Sequence, residues 1–350
     1  MQFNPLTTIL DEDLWRYGMF FGVLFCVATI IFSRSKQIGW IACTTWFYVL
    51  CSAIATIEYP VIRFGVFNTG FMATAGQTAL EVLVIPLAVL SLPRILFNKS
   101  IEWMTWLILT DLIAVWIFGT GIMIAPSFDL ALIAMFLPFA PIWLVILSGV
   151  TILTHHASTA VMIMVAQCMV FAMSYKRLRP IVFAVIPVAI ASAFYHARGP
   201  NLDGNERVTV WKSMMSHWWR GTSFVTSDNL VSLHFGGTLL SKVTGAGAGS
   251  FLWLSLMCEP AHMFMSAHSE IIQITFELGF VGLFLALATT MSAVKRCWDR
   301  PGIVAAVMGV VACSMFYHPL RFAPTAILIA FIFREALEKQ TANGKTVSRM

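Results

Sequence analysis

From Leu14 to Phe333 this chain is a succession of apolar runs long enough to cross a bilayer as helices, separated by short connectors that collect Lys and Arg. A hydrocarbon layer about 30 Å thick needs about 20 apolar residues in helical form, and only elements that satisfy their own backbone groups survive in it. With 59% hydrophobic and 11% charged residues, the balance of a soluble domain is excluded. The predicted fold is therefore all-α, a polytopic membrane helix bundle. The start, Met1 to Arg16, carries Asp11, Glu12 and Asp13 without a basic opening or a small-residue cleavage site, so it does not read as a removable signal peptide.

Predicted spans are Leu14–Phe32, Ile38–Ile57, Phe71–Leu92, Ile101–Phe118, Ser158–Met173, Ile181–Tyr195, Glu270–Ser292, Ile303–Phe316 and Ala323–Phe333. The clusters Arg34/Lys36, Arg94/Lys99, Lys176/Arg177/Arg179, Lys295/Arg296/Arg300 and Arg334/Lys339/Lys345/Arg349 hold most of the 22 Lys and Arg, which places these connectors and the C-terminus in the cytoplasm. Gly119 to His156 must then begin and end outside. Two short passages, Asp129–Leu137 and Ile142–Leu153, satisfy that parity by turning at Pro138-Phe139-Ala140-Pro141. The total is about eleven spans.

One large polar insert, residues 196–268, faces outward, and no linker or internal repeat divides the chain, so residues 1–350 read as one membrane domain. Within the insert, Asn205–Trp219 has the period of an amphipathic helix, with Val208, Trp211, Met215 and Trp218 as its apolar stripe. Such a helix is expected to lie along the outer leaflet with its tryptophans at headgroup depth.

Seven cysteines, six of them in or beside apolar runs, make no disulfide framework and no CxxC pattern. His155, His156 and His262 lack the spacing and acidic or thiol companions of a metal set, so neither a metal nor a cofactor is expected. The net charge of +5 is distributed by topology rather than along a soluble surface, which argues against nucleic acid as a partner.

The candidate chemistry lies in and just after the insert. His268 stands where the polar segment meets a span, followed by Glu270, Gln273 and Glu277 at helical spacing. An imidazole, with a reference pKa of about 6.5, is suited to taking a proton from a hydroxyl. Arg207 and Trp211 are one helical turn apart, and a guanidinium binds phosphate oxygens in a fork. Arg198 and Arg321 are further outward arginines. In Gly245-Ala-Gly247-Ala-Gly249-Ser-Phe251 the alternate glycines are expected to let backbone N–H groups approach a ligand. Glu81 and Asp111 are acids within apolar runs, and hydrogen bonding between helices is their expected role.

In order along the chain, Arg207-x-x-x-Trp211, Gly245 to Phe251, and His268-Ser269-x9-Gly279-x-x-Gly282 resemble the O-antigen ligase and O-antigen polymerase family of bacterial lipid-linked glycan transferases. The likeness covers about Asn205 to Leu283. The chain departs from that family at Leu153-Thr-His-His-Ala-Ser158, where a Ser-Arg-Gly-like element is usual, and at Leu283. The resemblance implies a fold like the C type of glycosyltransferases in the bacterial inner membrane, with the insert periplasmic. It implies a metal-independent, inverting transfer of a glycan from undecaprenyl diphosphate to a hydroxyl of a second glycan or of lipid A-core. His268 and Arg207 would be catalytic. Arg321, Arg198, Trp211, Gly245, Gly247, Gly249 and Glu270 would line the substrate. The contrasting expectation is a lipid-linked glycan flippase or other transporter, which moves its substrate without making a glycosidic bond.

Overall fold

The computed structural model describes residues 94–118, 126–155, 157–180, 182–184, 186–187, 191, 203–225, 232–247, 250–258, 267–317, 319, 329–333 and 335–336. The three expected N-terminal spans, with Glu81, and also His156, Arg198, Gly249, His262 and Arg321 lie outside the described residues. So does most of Ile181–Tyr195.

The elements in order are α1 (Arg94–Phe118), α2 (Pro126–Phe136), α3 (Ile142–Thr154), α4 (Ser158–Ser174), α5 (Asp203–Arg220), β1 (Thr222–Val225), β2 (Ser232–Phe235), α6 (Leu239–Thr244), α7 (Phe251–Cys258), α8 (Glu270–Arg296) and α9 (Pro301–Phe316). The described residues are thus largely helical. The expectation of helices alone within the insert is corrected by the antiparallel hairpin of β1 and β2, in which Thr222 faces Phe235 and Val225 faces Ser232. Both strands are short and carry the aromatic and β-branched residues that suit a pleat. α1 begins at Arg94, so Arg94 and Lys99 lie on the helix rather than in a connector. No Gly or Pro after Pro93 interrupts the run.

The main core is the packing of α2, α4 and α9. α9 buries small residues, Ala305, Ala306 and Cys313, in this core, and its Gly309 abuts Ile163 and Gln167 of α4, a composition that lets apolar helices approach closely. The break expected at Pro138 is present, as α2 passes into a 3-10 turn over Leu137–Phe139. Proline there removes the N–H that the Ala134 carbonyl would accept in a continuous helix. Gln167 of α4 supplies the missing donor: its Nε2 donates to the Ala134 oxygen at 2.8 Å and to that of Met135 at 3.2 Å. Gly309 makes room, since a Cβ on it would lie 2.6 Å from that nitrogen.

Among the described residues, one helix, α8, is long and apolar enough to cross a membrane, and five shorter apolar helices accompany it. α8 is not straight. Gly279 has φ 65° and ψ −165°, which divides it into a polar half, 270–278, and an apolar half, 280–296. The apolar half matches α9 in length, about 24 Å at 1.5 Å per residue. The turn between them ends at Arg300, whose Nη1 pairs with Glu335 Oε1 at 2.8 Å. At the other end of α9, the Tyr317 carbonyl accepts from the Glu270 N–H at 3.1 Å. The Lys295/Arg296/Arg300 cluster and His268 therefore sit at opposite ends of α9.

A second core joins the insert to α8. Val210, Met214 and Trp218 of α5 are buried against Phe251 and Leu254 of α7 and against Ala267 and Phe276. This corrects the expected role of α5. It runs as an amphipathic helix within two residues of the expected limits, yet its apolar face covers protein rather than lipid, and Val208 is exposed.

Candidate functional site

His268, Ser269, the nine intervening residues and Gly279 of His268-Ser269-x9-Gly279-x-x-Gly282 each have a structural counterpart. Ser269 is the N-cap of α8, its side chain accepting from the Ile272 N–H at 3.4 Å. The nine intervening residues are the whole polar half-helix. Gly279 is the break that follows it. A Cβ there would lie 2.4 Å from the Val243 oxygen and 2.5 Å from the Gly245 nitrogen, so two backbones meet where neither can carry a side chain. The spacing is thus the length of a helix that ends at a left-handed glycine, and His268 is the residue just before its cap.

His268 itself has φ 48°, the only positive φ outside glycine among the described residues. A left-handed residue of this kind is held by its surroundings. The peptide groups of the preceding residue are gripped on both sides. The Trp211 indole N–H donates to the Ala267 carbonyl, and the Ala267 N–H donates to Gln273 Oε1 at 3.3 Å. The Gln273 amide passes the constraint on, its Nε2 donating to Glu277 Oε1 at 3.1 Å. That same oxygen accepts from the Phe251 N–H at the start of α7, at 3.3 Å. Glu277 therefore places its carboxylate at the positive end of α7. His268 is half-buried beside this ladder, and its Nδ1 is a buried atom.

Trp211 lies 56 positions before Ala267 in sequence, and its bond brings the Arg207-x-x-x-Trp211 unit to the histidine. Arg207 belongs to the same helix one turn earlier, with its side chain outside the described residues. The glycine-rich stretch also arrives here, in another role than the expected one. The N–H groups of Gly245, Ala246 and Gly247 donate to the carbonyls of Ser241, Phe276 and Glu277 at 2.8 Å each. Of the donors expected to face a ligand, those of Gly245 and Gly247 are bonded to protein, and the Ala246 and Gly247 bonds pin the stretch to the end of the polar half-helix. Glu270 is buried, with its N–H on Tyr317, so it closes the seam between α8 and α9. His155 packs edge-on against Trp116. Asp111 is buried within α1.

No protein-family profile matches this chain, and no curated protein is similar to it in sequence. Among the described residues no group of three or more His, Cys, Asp or Glu side chains is placed to hold a metal ion.

Gln273 and Glu277 are the members of the site whose connections sequence reading did not supply. The signal was their four-residue spacing within an apolar helix, which pairs two polar groups on one face. Gln273→Leu leaves the buried Ala267 N–H and the Glu277 carboxylate each short of a partner. It is expected to lower stability by about 1–3 kcal/mol, read as a fall in the unfolding midpoint of the purified protein in detergent. An unchanged midpoint would remove the ladder from the account of how His268 is held.

Proposed function

We propose that this protein is an integral membrane glycosyltransferase that moves a glycan from undecaprenyl diphosphate to an acceptor hydroxyl. The observation that carries the reading is the bond from Trp211 to Ala267, which joins two motifs far apart in sequence at the residue beside His268. The glycine-rich stretch touches the same motif at its other end, at Gly279, one nine-residue half-helix from His268.

In this mechanism His268 takes the proton of the acceptor hydroxyl as its oxygen attacks the anomeric carbon. The bond from that carbon to the diphosphate breaks, and the configuration inverts. The leaving undecaprenyl diphosphate carries the negative charge, which Arg207 offsets from α5, with Arg321 four residues beyond Tyr317 in sequence as the second cation. Trp211 and Gln273 hold the histidine and do not react.

The proposed setting is the bacterial inner membrane, with about eleven spans, the insert periplasmic and the C-terminus cytoplasmic. Two features support it. Large apolar side chains such as Phe284, at 68%, and Met291, at 71%, face outward from α8, a surface suited to lipid. The cationic turn at Arg300 lies at the far end of α9 from His268, as a cytoplasmic cluster should.

The test is the purified protein with an undecaprenyl diphosphate-linked oligosaccharide, in EDTA, with a second lipid-linked glycan or lipid A-core as acceptor. A ladder of products identifies a polymerase and one discrete shift a ligase. Absence of product with both acceptors, together with movement of the lipid-linked glycan across vesicles, would replace this proposal with the transporter.

A further inference from the structure

α6 presents two adjacent leucines on its outer side, Leu239 at 78% and Leu240 at 71% exposed, with Val243 beside them. The helix is built into place. The Trp218 indole N–H donates to the Ser241 carbonyl at 3.1 Å, the Gly237 N–H donates to the Trp218 carbonyl at 2.9 Å, and Thr238 caps the first turn through the Ser241 N–H at 3.1 Å. Its far end is fixed to the break in α8, where Gly245 abuts Gly279. A short helix tied down on both sides holds its leucines outward by construction. Exposed adjacent leucines in that position call for an apolar surrounding.

Three observations identify that surrounding. First, Phe280, Phe284, Leu287 and Met291 form one exposed stripe along the apolar half of α8, at three- and four-residue steps. Second, the stripe continues upward onto α5 through Trp219, whose ring lies 6.3 Å from that of Phe280. Third, the upper edge is cationic: Lys242 Nζ stands 4.0 Å from the centroid of Trp219, and the neighbouring Arg220 is exposed. An apolar stripe capped by an aromatic ring and then by cations has the order of hydrocarbon, interface and phosphate in a leaflet. A second copy of this chain would bring like charges together along the same edge.

We propose that α6 is an interfacial anchor, with Leu239 and Leu240 inserted in the hydrocarbon of the leaflet on the His268 side and Lys242 and Arg220 at its phosphates. The sequence assigned the interfacial position to α5, whose apolar face is instead buried in protein. Because α6 abuts Gly279, the anchor sets the lipid boundary at the break in α8 and leaves the polar half-helix, with His268 at its start, on the headgroup side. The inference rests on the membrane reading and is independent of the transfer reaction.

The test places a photoreactive benzoylphenylalanine at position 239, 240, 284 or 212 of the full chain, in vesicles of phosphatidylethanolamine and phosphatidylglycerol. Mass spectrometry then counts phospholipid adducts after irradiation. Adducts at 239 and 240 are expected to match those at 284 and to exceed those at the charged, exposed position 212 on the order of tenfold, the contrast between hydrocarbon and water. Adducts at 284 without adducts at 239 and 240 overturn the anchor and leave the membrane reading intact. A crosslinked dimer through 239 or 240 in place of lipid also overturns it, by showing that a second copy covers the leucines. Absence of lipid at 284 removes the membrane reading and the anchor together.

Discussion

Under the proposed mechanism, glycine at position 268 is expected to lower the rate of glycan transfer by about 10²–10⁴-fold, the range of a positioned general base, while leaving the protein about as well folded as the parent. Most active-site substitutions confound chemistry with folding, and here the backbone separates them. His268 has φ 48°, where a side chain carries strain and glycine carries little. His268→Gly relieves that strain, against a greater loss of chain entropy on folding and the loss of the imidazole's own contacts, so the unfolding midpoint in detergent should stay close to the parent's. The ladder beneath is untouched, because the Trp211 and Gln273 bonds are made to Ala267 and not to the imidazole. Added imidazole should restore part of the rate, since the function proposed for the side chain is that of a proton acceptor. A variant that transfers glycan as fast as the parent would remove the histidine from the chemistry. A slow variant that also unfolds early would assign it a structural role.

The same residues show what a reader of the sequence can and cannot see. Where an apolar run ends at a hard signal, the limits are legible. Pro138 follows the end of α2 at Phe136, Pro141 precedes the Ile142–Thr154 helix, Ser158 opens α4, and Arg300-Pro301 opens α9, each within two residues of expectation. The amphipathic period of Asp203–Arg220 was equally plain, because it is a property of one segment. What that face packs on is decided elsewhere. Met214 and Trp218 are buried against Phe251 and Phe276, and no period in α5 reveals a partner more than thirty residues away.

The glycines teach the same lesson more sharply. Gly245 and Gly247 were legible as positions that need a close backbone approach, and the backbone that approaches them belongs to α8. In the same way, residues 270–292 read as one continuous span because a glycine within an apolar helix is tolerated and leaves no mark of a break. Ser269 was visible as a polar residue after the histidine, whereas its capping role required knowing where the helix starts. The hairpin at Thr222–Val225 and Ser232–Phe235 was missed because four-residue strands carry too little alternation to stand out from a polar insert. For His268 the neighbours that matter, Trp211 and Gln273, were both noticed in sequence; their convergence on Ala267 was not.

Substitution of Gly279 by alanine is expected to have the largest effect on folding, a loss of about 3–5 kcal/mol, from backbone strain together with steric overlap that cannot relax. At φ 65° and ψ −165° the residue occupies a region that belongs almost entirely to glycine. The added Cβ would meet the Val243 oxygen at 2.4 Å, the Gly245 nitrogen at 2.5 Å and the Val243 carbonyl carbon at 2.6 Å, all backbone atoms. No side chain can turn aside, so either α6 withdraws from α8 or the break straightens. Straightening continues the axis of 280–296 through 270–278 and carries His268 off its seat by several ångströms, since the half-helix is itself about 13 Å long. The Trp211 bond to Ala267 would then be lost, and with it the seat of the proposed base. Gly149→Ala in α3 is the matched control, because its Cβ would meet only the flexible end of Met164 at 3.6 Å, and its midpoint should hold or rise by up to about 1 kcal/mol. If Gly279→Ala unfolds at the same temperature as Gly149→Ala, α8 has no obligatory break, and the nine-residue spacing between Ser269 and Gly279 needs an explanation other than the length of a helix that seats the histidine.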